Sequence, residues 1–393
     1  MIIFAWCIFL ISAAIPVTFF LYPVLLSLFS SHLKIEPIPC KNNVFIPPKA
    51  TLLIVVRNGE ALLPAKIENC LALDYPKGRL DIFFVSDGSD DGTEDILKNA
   101  NPCIRSLILE EHQGKNKCIN IALPMLENDL VFLTDADAIL NSDALTMMAS
   151  RLCDSTIGGV CGKRSIIANK GALGAAQHLY TTFDSYIKVQ ESIKCSISSN
   201  DGKIYCVRRK LFPSLPEGVT DDLYTALCVV EAGYCFVFEP RALASIPIPS
   251  QHREHEIIRR RRIVNGSLRG IMSKRSLLNP LHYGLFAFSL FINKVLRRIL
   301  PLALLGLLFS CMILAPESLT ITTLLVAQIF CYLLAAMHRL FEHQGPVFIR
   351  KISYAGYYFI LGNWGGLLAL WDTITGKKFN KWDPIKTAEV IPK

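Results

Sequence analysis

Asp129-Leu130-Val131-Phe132-Leu133-Thr134-Asp135-Ala136-Asp137 is a short apolar run that ends abruptly in two carboxylates. It is too short for a buried helix, and it is apolar on both faces, as a strand covered on both sides must be. The same design recurs upstream. Thr51-Leu52-Leu53-Ile54-Val55-Val56 is followed by Arg57-Asn58-Gly59-Glu60, and Asp81-Ile82-Phe83-Phe84-Val85 by Ser86-Asp87-Gly88-Ser89-Asp90-Asp91-Gly92-Thr93. Ser106-Leu107-Ile108-Leu109 is a further run, and amphipathic segments near 60–72, 92–99 and 115–127 lie between them. Strand and helix in alternation predict an α/β fold with a mostly parallel sheet and helices on both faces. Ligands of such sheets bind at the carboxyl ends of the strands, where these acidic residues fall.

Outside this region the composition is that of a membrane protein. The 393 residues are 51% hydrophobic and only 19% charged, against about 25% charged in an average soluble chain. That balance excludes disorder. The 13 cysteines are scattered, with no CxxC pair and no His cluster at zinc spacing, which predicts thiols rather than a disulfide framework. Residues 1–33 are almost wholly apolar and long enough to span a bilayer, and Lys34 is the first Lys or Arg. Pro16 and Pro23, the missing basic n-region and the missing small-residue cleavage site argue against a removed signal peptide.

The expected organisation is therefore a transmembrane helix at 1–33, a Pro-rich linker at 34–48 and a cytosolic domain at 49–276. An interfacial amphipathic region at 277–298 carries Lys294, Arg297 and Arg298. Spans near 299–315 and 319–338 follow within a transmembrane or re-entrant region at 299–373, and a cytoplasmic tail closes the chain at 374–393. The stretch 352–371, interrupted by Gly356, Gly362, Gly365 and Gly366 and flanked by basic residues, reads as re-entrant or interfacial, with a plain span as the alternative. The net charge of +8 sits largely in Arg253–Arg275 and beside the apolar runs. That placement fits the cytoplasmic side of a multi-pass protein of the inner (plasma) membrane, and not a partner nucleic acid.

Carboxylates gathered at one sheet edge repel one another unless a cation or hydrogen-bond donors sit among them. An Asp-x-Asp turn such as Asp135-Ala136-Asp137 can offer oxygens to Mg²⁺ or Mn²⁺, which in turn binds a diphosphate. The Gly- and Asp-rich loop after Val85 can cap a helix and still present backbone N–H groups to a nucleotide. Gly114-Lys115 supplies a cation for phosphate or simply opens a helix. Asp221-Asp222 opens another helical stretch, where one carboxylate suits an N-cap and the other a general base. Arg259-Arg260-Arg261-Arg262 suits anionic lipid, a diphosphate, or both.

Taken in order, Val56-Arg57-Asn58-Gly59-Glu60, Leu73-Asp74-Tyr75-Pro76, Val85-Ser86-Asp87-Gly88-Ser89, Gly114-Lys115, Asp135-Ala136-Asp137, Gly202 to Arg209, Thr220-Asp221-Asp222 and the basic tract resemble the membrane-bound, processive-type family 2 glycosyltransferases. These enzymes have a GT-A fold and include the cellulose, hyaluronan and poly-N-acetylglucosamine synthases and many exopolysaccharide enzymes. The resemblance runs from about residue 49 to Trp382. It implies a hexosyltransferase that uses a nucleotide-sugar donor, a UDP-sugar above all, with Mg²⁺ or Mn²⁺. Asp87 would contact the uridine with help from Glu60, Asp135 would lie near ribose and diphosphate, and Asp137, with Asp135, would hold the metal. Asp222 matches the base that deprotonates the acceptor hydroxyl, and Lys115, Arg259 and Arg262 would face the diphosphate.

Where polymerising members carry Gln-x-x-Arg-Trp, this chain has Arg259-Arg260-Arg261-Arg262-Ile263. The Trp that holds an acceptor sugar is replaced by Ile263, which points away from processive synthesis. The expected acceptor is a membrane-associated saccharide or lipid, with transfer of one sugar to a polyprenyl phosphate or other lipid as the alternative. A catalytically silent nucleotide-sugar-binding scaffold, or an enzyme that works with accessory subunits of a polysaccharide or glycolipid pathway, are further readings. A dinucleotide-dependent dehydrogenase is excluded by the missing GxGxxG after the first strand.

Overall fold

The computed structural model describes residues 1–30, 45–166, 172–194, 196–246, 253–338 and 346–381. Most of the expected linker at 34–48 and of the tail at 374–393 lies outside these residues. The N-terminal helix α1 spans Ile2–Ser30. The strand runs become β1 (Ala50–Val56), β2 (Leu80–Asp87), β3 (Ile104–Leu109) and β4 (Leu130–Asp135). Between them lie α2 (Leu63–Leu71), α3 (Thr93–Lys98) and α4 (Lys115–Ala122). The second half of the domain adds β5 (Ile139–Leu140), α5 (Ala144–Arg151), β6 (Ile157–Ile166), α6 (Ala172–Lys194), β7 (Ile204–Arg208), α7 (Asp221–Glu231) and β8 (Cys235–Ile246).

The eight strands form one sheet in the order β3-β2-β1-β4-β7-β6-β8-β5. β3, β2, β1 and β4 are mutually parallel, and β7 enters antiparallel between β4 and β6. Alternation along a strand sends side chains to opposite faces, so β1 buries Leu52 and Ile54 in one layer and Leu53 in the other. β4 does the same with Phe132 on one side and Val131 and Leu133 on the other. Both layers are apolar cores, which is why these strands read as continuous hydrophobic runs. Among the described residues, ten cysteines are free thiols. Cys235 is disulfide-bonded, which departs from the expectation of thiols throughout.

Beyond the sheet, α8 (Arg253–Ser273) carries the arginine tract along the α/β domain. It is followed by α9 (Pro280–Leu290), a π-helical turn at Phe291–Leu296, α10 (Arg297–Leu314), α11 (Leu319–Ala336) and α12 (Val347–Ile374). Three segments among the described residues are long and apolar enough to cross a membrane: Ile2–Leu28, Pro280–Glu317 and Leu319–Ala336.

Two stretches lie within longer helical segments. Residues 277–298 do not make a separate amphipathic helix, because α9 runs through the π turn directly into α10. Their cations turn inward, with Lys294 Nζ donating to Ser199 Oγ at 2.9 Å and Arg298 Nη2 to Ser267 Oγ of α8 at 3.3 Å. The stretch 352–371 lies within the unbroken 28-residue α12. Its glycines serve packing: a Cβ at Gly362 would strike the Arg260 guanidinium, so the bare backbone lets that side chain pass.

A buried network ties the membrane helices to the domain. The Glu191 carboxylate accepts from Tyr22 Oη of α1 at 2.6 Å, from the Ser198 N–H at 2.7 Å and from Asn293 Nδ2 of the π turn at 2.8 Å. Burial pushes the Glu191 carboxyl above its ordinary range, although the Tyr22 and Ser198 hydrogen bonds oppose the shift.

Candidate active site

The parallel strands deliver their acidic ends to one edge. Asp135 is the last residue of β4, pairing beside Val55 of β1, and Asp87 is the last residue of β2. Asp221 and Asp222 open α7, and β7 brings Lys203 to the same edge because Ile204 pairs with Thr134.

Lys115, one residue after Gly114, donates to Asp135 Oδ1 at 2.8 Å and lies 3.1 Å from Asp221 Oδ2. Lys203 Nζ sits 3.0 Å from Asp135 Oδ2 and 2.8 Å from Asp137 Oδ1. Burial works against charge on Asp135, and Lys115 and Lys203 outweigh it, holding the carboxyl far below the usual range. Lys115 is held charged in the same way: burial disfavours its ammonium, and Asp135 and Asp221 more than restore it. Lys66 of α2 lies beneath this turn, fully buried, and donates to the Ala138 carbonyl at 2.5 Å.

Asp222 is the exception. Burial first, and the neighbouring Asp221 second, raise its carboxyl to about 6, against the lowering effect of the Leu223 N–H at 2.7 Å. Asp221 meanwhile is engaged by Lys115 and by the buried Tyr205 hydroxyl at 3.1 Å. The two adjacent carboxylates therefore differ, Asp221 being tied to Lys115 and Tyr205 while Asp222 is raised; neither is the N-cap expected from the sequence, a position that Thr220 holds. Asn200 Nδ2 fixes the Asp222 backbone by donating to its carbonyl at 2.9 Å.

The four consecutive arginines separate by their direction on α8. Arg259 and Arg260 both bind Glu256, and Arg261 forks onto Asp372 of α12 with two bonds of 2.8 Å. Arg262 turns to the site, where Asp135, Asp221 and Asp222 favour its charge although burial, the larger effect, lowers its pKa. The structure thus brings Arg262 to the carboxylates and sends Arg259 into an ion pair with Glu256.

Asp87 is 2% exposed, and its carboxylate holds the loop that precedes α4: it meets His112 Nδ1 at 2.9 Å and accepts from the Gln113 and Gly114 N–H groups at 2.6 and 3.0 Å. Glu60 is exposed and accepts from the Gly92 N–H at 3.1 Å, while Arg57 bonds the Asp87 carbonyl at 3.0 Å, so both brace the loop after β2. Gly88 in this loop has φ +57, and a Cβ there would collide with the backbone of Glu111 and His112. Asn380, just past α12, reaches back to Glu217 at 2.9 Å, and its carbonyl lies where a Cβ on Gly114 would fall.

Lys203, His112 and the segment around Asn380 are site residues that the sequence reading missed. Only Lys203 carried a signal, since it falls in the stretch Gly202 to Arg209. His112 Nε2 is buried without a hydrogen-bond partner among the described residues.

Residues 51–214 match the glycosyl transferase family 2 domain. A β-monoglucosyldiacylglycerol synthase of Trichormus variabilis is 26% identical over 186 residues, 45% of this chain and 40% of the relative. An N-acetylglucosaminyltransferase of Rhizobium meliloti is 24% identical over 217 residues, 47% of this chain and 49% of that one. The chain thus spans about half or less of the length of these relatives. The fold is shared with a mannosyltransferase of Pyrobaculum calidifontis, solved in complex with GDP-Man and Mn²⁺, at a TM-score of 0.67 and 20% identity over 93% of this chain and 99% of that one. The chain carries a family 2 glycosyltransferase domain on a GT-A fold, together with apolar helices long enough to cross a membrane.

Proposed function

We propose that this domain is an inverting glycosyltransferase that moves a sugar from a nucleotide-sugar, a UDP-sugar in the first instance, to a membrane-associated acceptor in polysaccharide or glycolipid synthesis. The observation that carries the reading is the convergence of Asp135, Asp137, Lys115, Lys203, Arg262 and a proton-accepting Asp222 at one sheet edge. Cations paired with carboxylates suit a diphosphate that must be bound, neutralised and released.

The residues fit a divalent cation. A single ammonium, Lys203 Nζ, touches carboxylate oxygens of both Asp135 and Asp137 at 3.0 and 2.8 Å, so the two groups already converge on one positive point. No cluster of three or more His, Cys, Asp or Glu suited to a metal occurs among the described residues. Two carboxylates with donor phosphates completing the shell is how Mg²⁺ is commonly held in phosphate chemistry. When bound, Mg²⁺ or Mn²⁺ neutralises charge on the leaving diphosphate.

The chain's own residues do the rest. Asp222, raised to about 6, is ionised at neutral pH yet basic enough to take the acceptor hydroxyl proton as the oxygen attacks the anomeric carbon. Arg262 and Lys115 oppose the charge on the departing diphosphate. One displacement inverts the configuration, so an α-linked donor gives a β-linked product. Ile263 in place of an aromatic residue favours transfer of one or a few sugars, with a lipid as acceptor. The catalytic domain lies on the cytoplasmic side of a multi-pass inner-membrane protein in this reading, and accessory subunits remain compatible with it. The test follows nucleotide release from UDP- and GDP-sugars by the purified protein, beside Asp222→Asn. Release that Asp222→Asn leaves untouched would sink the role given to Asp222.

A further inference from the structure

The oxygens of the Asp-x-Asp turn are all engaged by the chain's own cations. Asp135 Oδ1 accepts from Lys115 at 2.8 Å and its Oδ2 lies 3.0 Å from Lys203, while both oxygens of Asp137 accept from Lys203 at 2.8 and 3.0 Å. All four carboxylate oxygens therefore face an ammonium, and the Lys203 ammonium covers three of them. Burial disfavours the Lys203 charge, but Asp135 and Asp137 more than restore it and raise the group above the ordinary lysine range.

This cluster is open to ligands. The side chains of Asp135, Asp137 and Lys203 keep 28, 32 and 20% of their surface exposed. The backbone at Lys203 is pinned, its carbonyl accepting from Thr134 Oγ1 at 2.7 Å and its N–H donating to Asp201 Oδ1 at 3.2 Å. Only the flexible stem of the side chain is left to carry the charge elsewhere.

An ion such as Mg²⁺ lies about 2.0–2.1 Å from its oxygen ligands. Held by both carboxylates, it would sit against the ammonium that now joins them, and like charges at that range oppose one another. Moving Lys203 aside with no new partner leaves a partly buried ammonium unpaired, which is strongly unfavourable. A diphosphate arriving at the same edge supplies the partner.

We propose that Lys203 is an internal counter-ion that holds the turn closed to divalent metal until the donor binds, and then passes to the donor diphosphate. The proposal rests on the glycosyltransferase reading and adds an order of binding to it. Metal enters and leaves with the nucleotide, and Lys203 returns to Asp135 and Asp137 after release. By linkage, the nucleotide strengthens Mn²⁺ binding by the same factor as Mn²⁺ strengthens nucleotide binding. Direct contact between metal and diphosphate sets one part of that factor, and Lys203 sets another.

The test titrates Mn²⁺ into the full chain in detergent, with no nucleotide, with UDP and with GDP, and reads free Mn²⁺ by electron paramagnetic resonance. The linkage factor is the ratio of the Mn²⁺ dissociation constants without and with the nucleotide. Lys203→Met should tighten Mn²⁺ binding to the nucleotide-free chain and weaken it in the nucleotide complex, so that the factor falls about tenfold. Lys203→Arg keeps the charge and should keep most of the factor. A lysine that only braces the fold would leave the factor unchanged in a Lys203→Met chain of ordinary melting temperature, and that result would overturn the proposal while nucleotide binding keeps the glycosyltransferase reading standing. Wild type that binds Mn²⁺ as tightly without nucleotide as with it would overturn the proposal equally. If Lys203→Met does not fold, Lys203→Gln, which keeps a hydrogen-bond donor without the charge, is judged on the same ratio. A wild-type chain that binds neither UDP nor GDP at any Mn²⁺ concentration would overturn the glycosyltransferase reading itself, and this order of binding with it.

Discussion

Asp222→Asn separates catalysis from stability, because the structure places a carboxylate where folding disfavours its charge. Burial and Asp221 raise the group from 3.8 to about 6. Each unit corresponds to about 1.4 kcal/mol, so the ionised Asp222 costs the fold up to roughly 3 kcal/mol once the pH exceeds the folded value. The sign follows from proton binding: below about pH 4 the group is protonated in both states and the cost is absent. It grows between about pH 4 and 6, where only the unfolded chain releases the proton, and is constant above. Asparagine is neutral and keeps an oxygen to accept from the Leu223 N–H. Asp222→Asn should therefore melt higher than wild type at pH 7.5, by several degrees at about 2–4 °C per kcal/mol, and equally at pH 4. Its turnover should fall by about 10²–10⁴-fold with donor KM little changed, as for loss of a general base. Wild-type kcat/KM should show an acid limb centred near pH 6 that the variant lacks. Thermal melts at the two pH values beside nucleotide-release kinetics decide it, and a variant that keeps wild-type turnover, or melts lower at pH 7.5, would refute the reasoning.

Three further perturbations probe other parts of the site. Lys203→Met removes the ammonium lying between Asp135 and Asp137, and should tighten Mn²⁺ binding to the donor-free protein several-fold by electron paramagnetic resonance; weaker binding would show that the two carboxylates do not form the cation site. Gly88→Ala puts a Cβ against the Glu111 and His112 backbone at φ +57, and should destabilise the chain by at least about 1–2 kcal/mol while raising donor KM; an unshifted melting temperature would contradict the strain argument. Glu191→Gln keeps much of the buried network around Tyr22, Ser198 and Asn293 whereas Glu191→Leu leaves their donors unsatisfied, so the Leu variant should lose about 3 kcal/mol or more and the Gln variant much less, as read from detergent melts.

The parallel half of the sheet was legible because β1, β2 and β4 are buried on both faces and so read as unbroken apolar runs. β6 was not, since Gly158, Gly159 and Gly162 interrupt its pattern. Those glycines make room for side chains of distant elements, among them Phe236 on the neighbouring β8. Asp135, Asp137 and Asp222 could be picked out because the chemistry needs carboxylates directly after strands or at a helix start. Lys203 was marked only as part of the stretch Gly202 to Arg209, because its meeting with the Asp-x-Asp turn depends on antiparallel pairing of β7 with a strand some 70 residues earlier in the chain. The resemblance singled out Arg259 and Arg262 from the arginine tract, and the fold separates them: Arg262 faces the carboxylates, whereas Arg259 pairs with Glu256 and Arg261 is claimed by Asp372, 111 residues away. The glycines of α12 leave the helix continuous, and those at Gly362 and Gly365 lie against the Arg260 side chain.

The central claim, that the carboxylates at the sheet edge serve transfer from a nucleotide-sugar, is tested most directly by nucleotide release from a panel of UDP- and GDP-sugars in Mn²⁺ or Mg²⁺, with wild type, wild type in EDTA and Asp137→Ala side by side. The account predicts release from one donor, lost in EDTA and lost in Asp137→Ala while the protein stays folded and membrane-inserted. Release that survives both treatments, or none from any donor with a membrane lipid extract present, would contradict it.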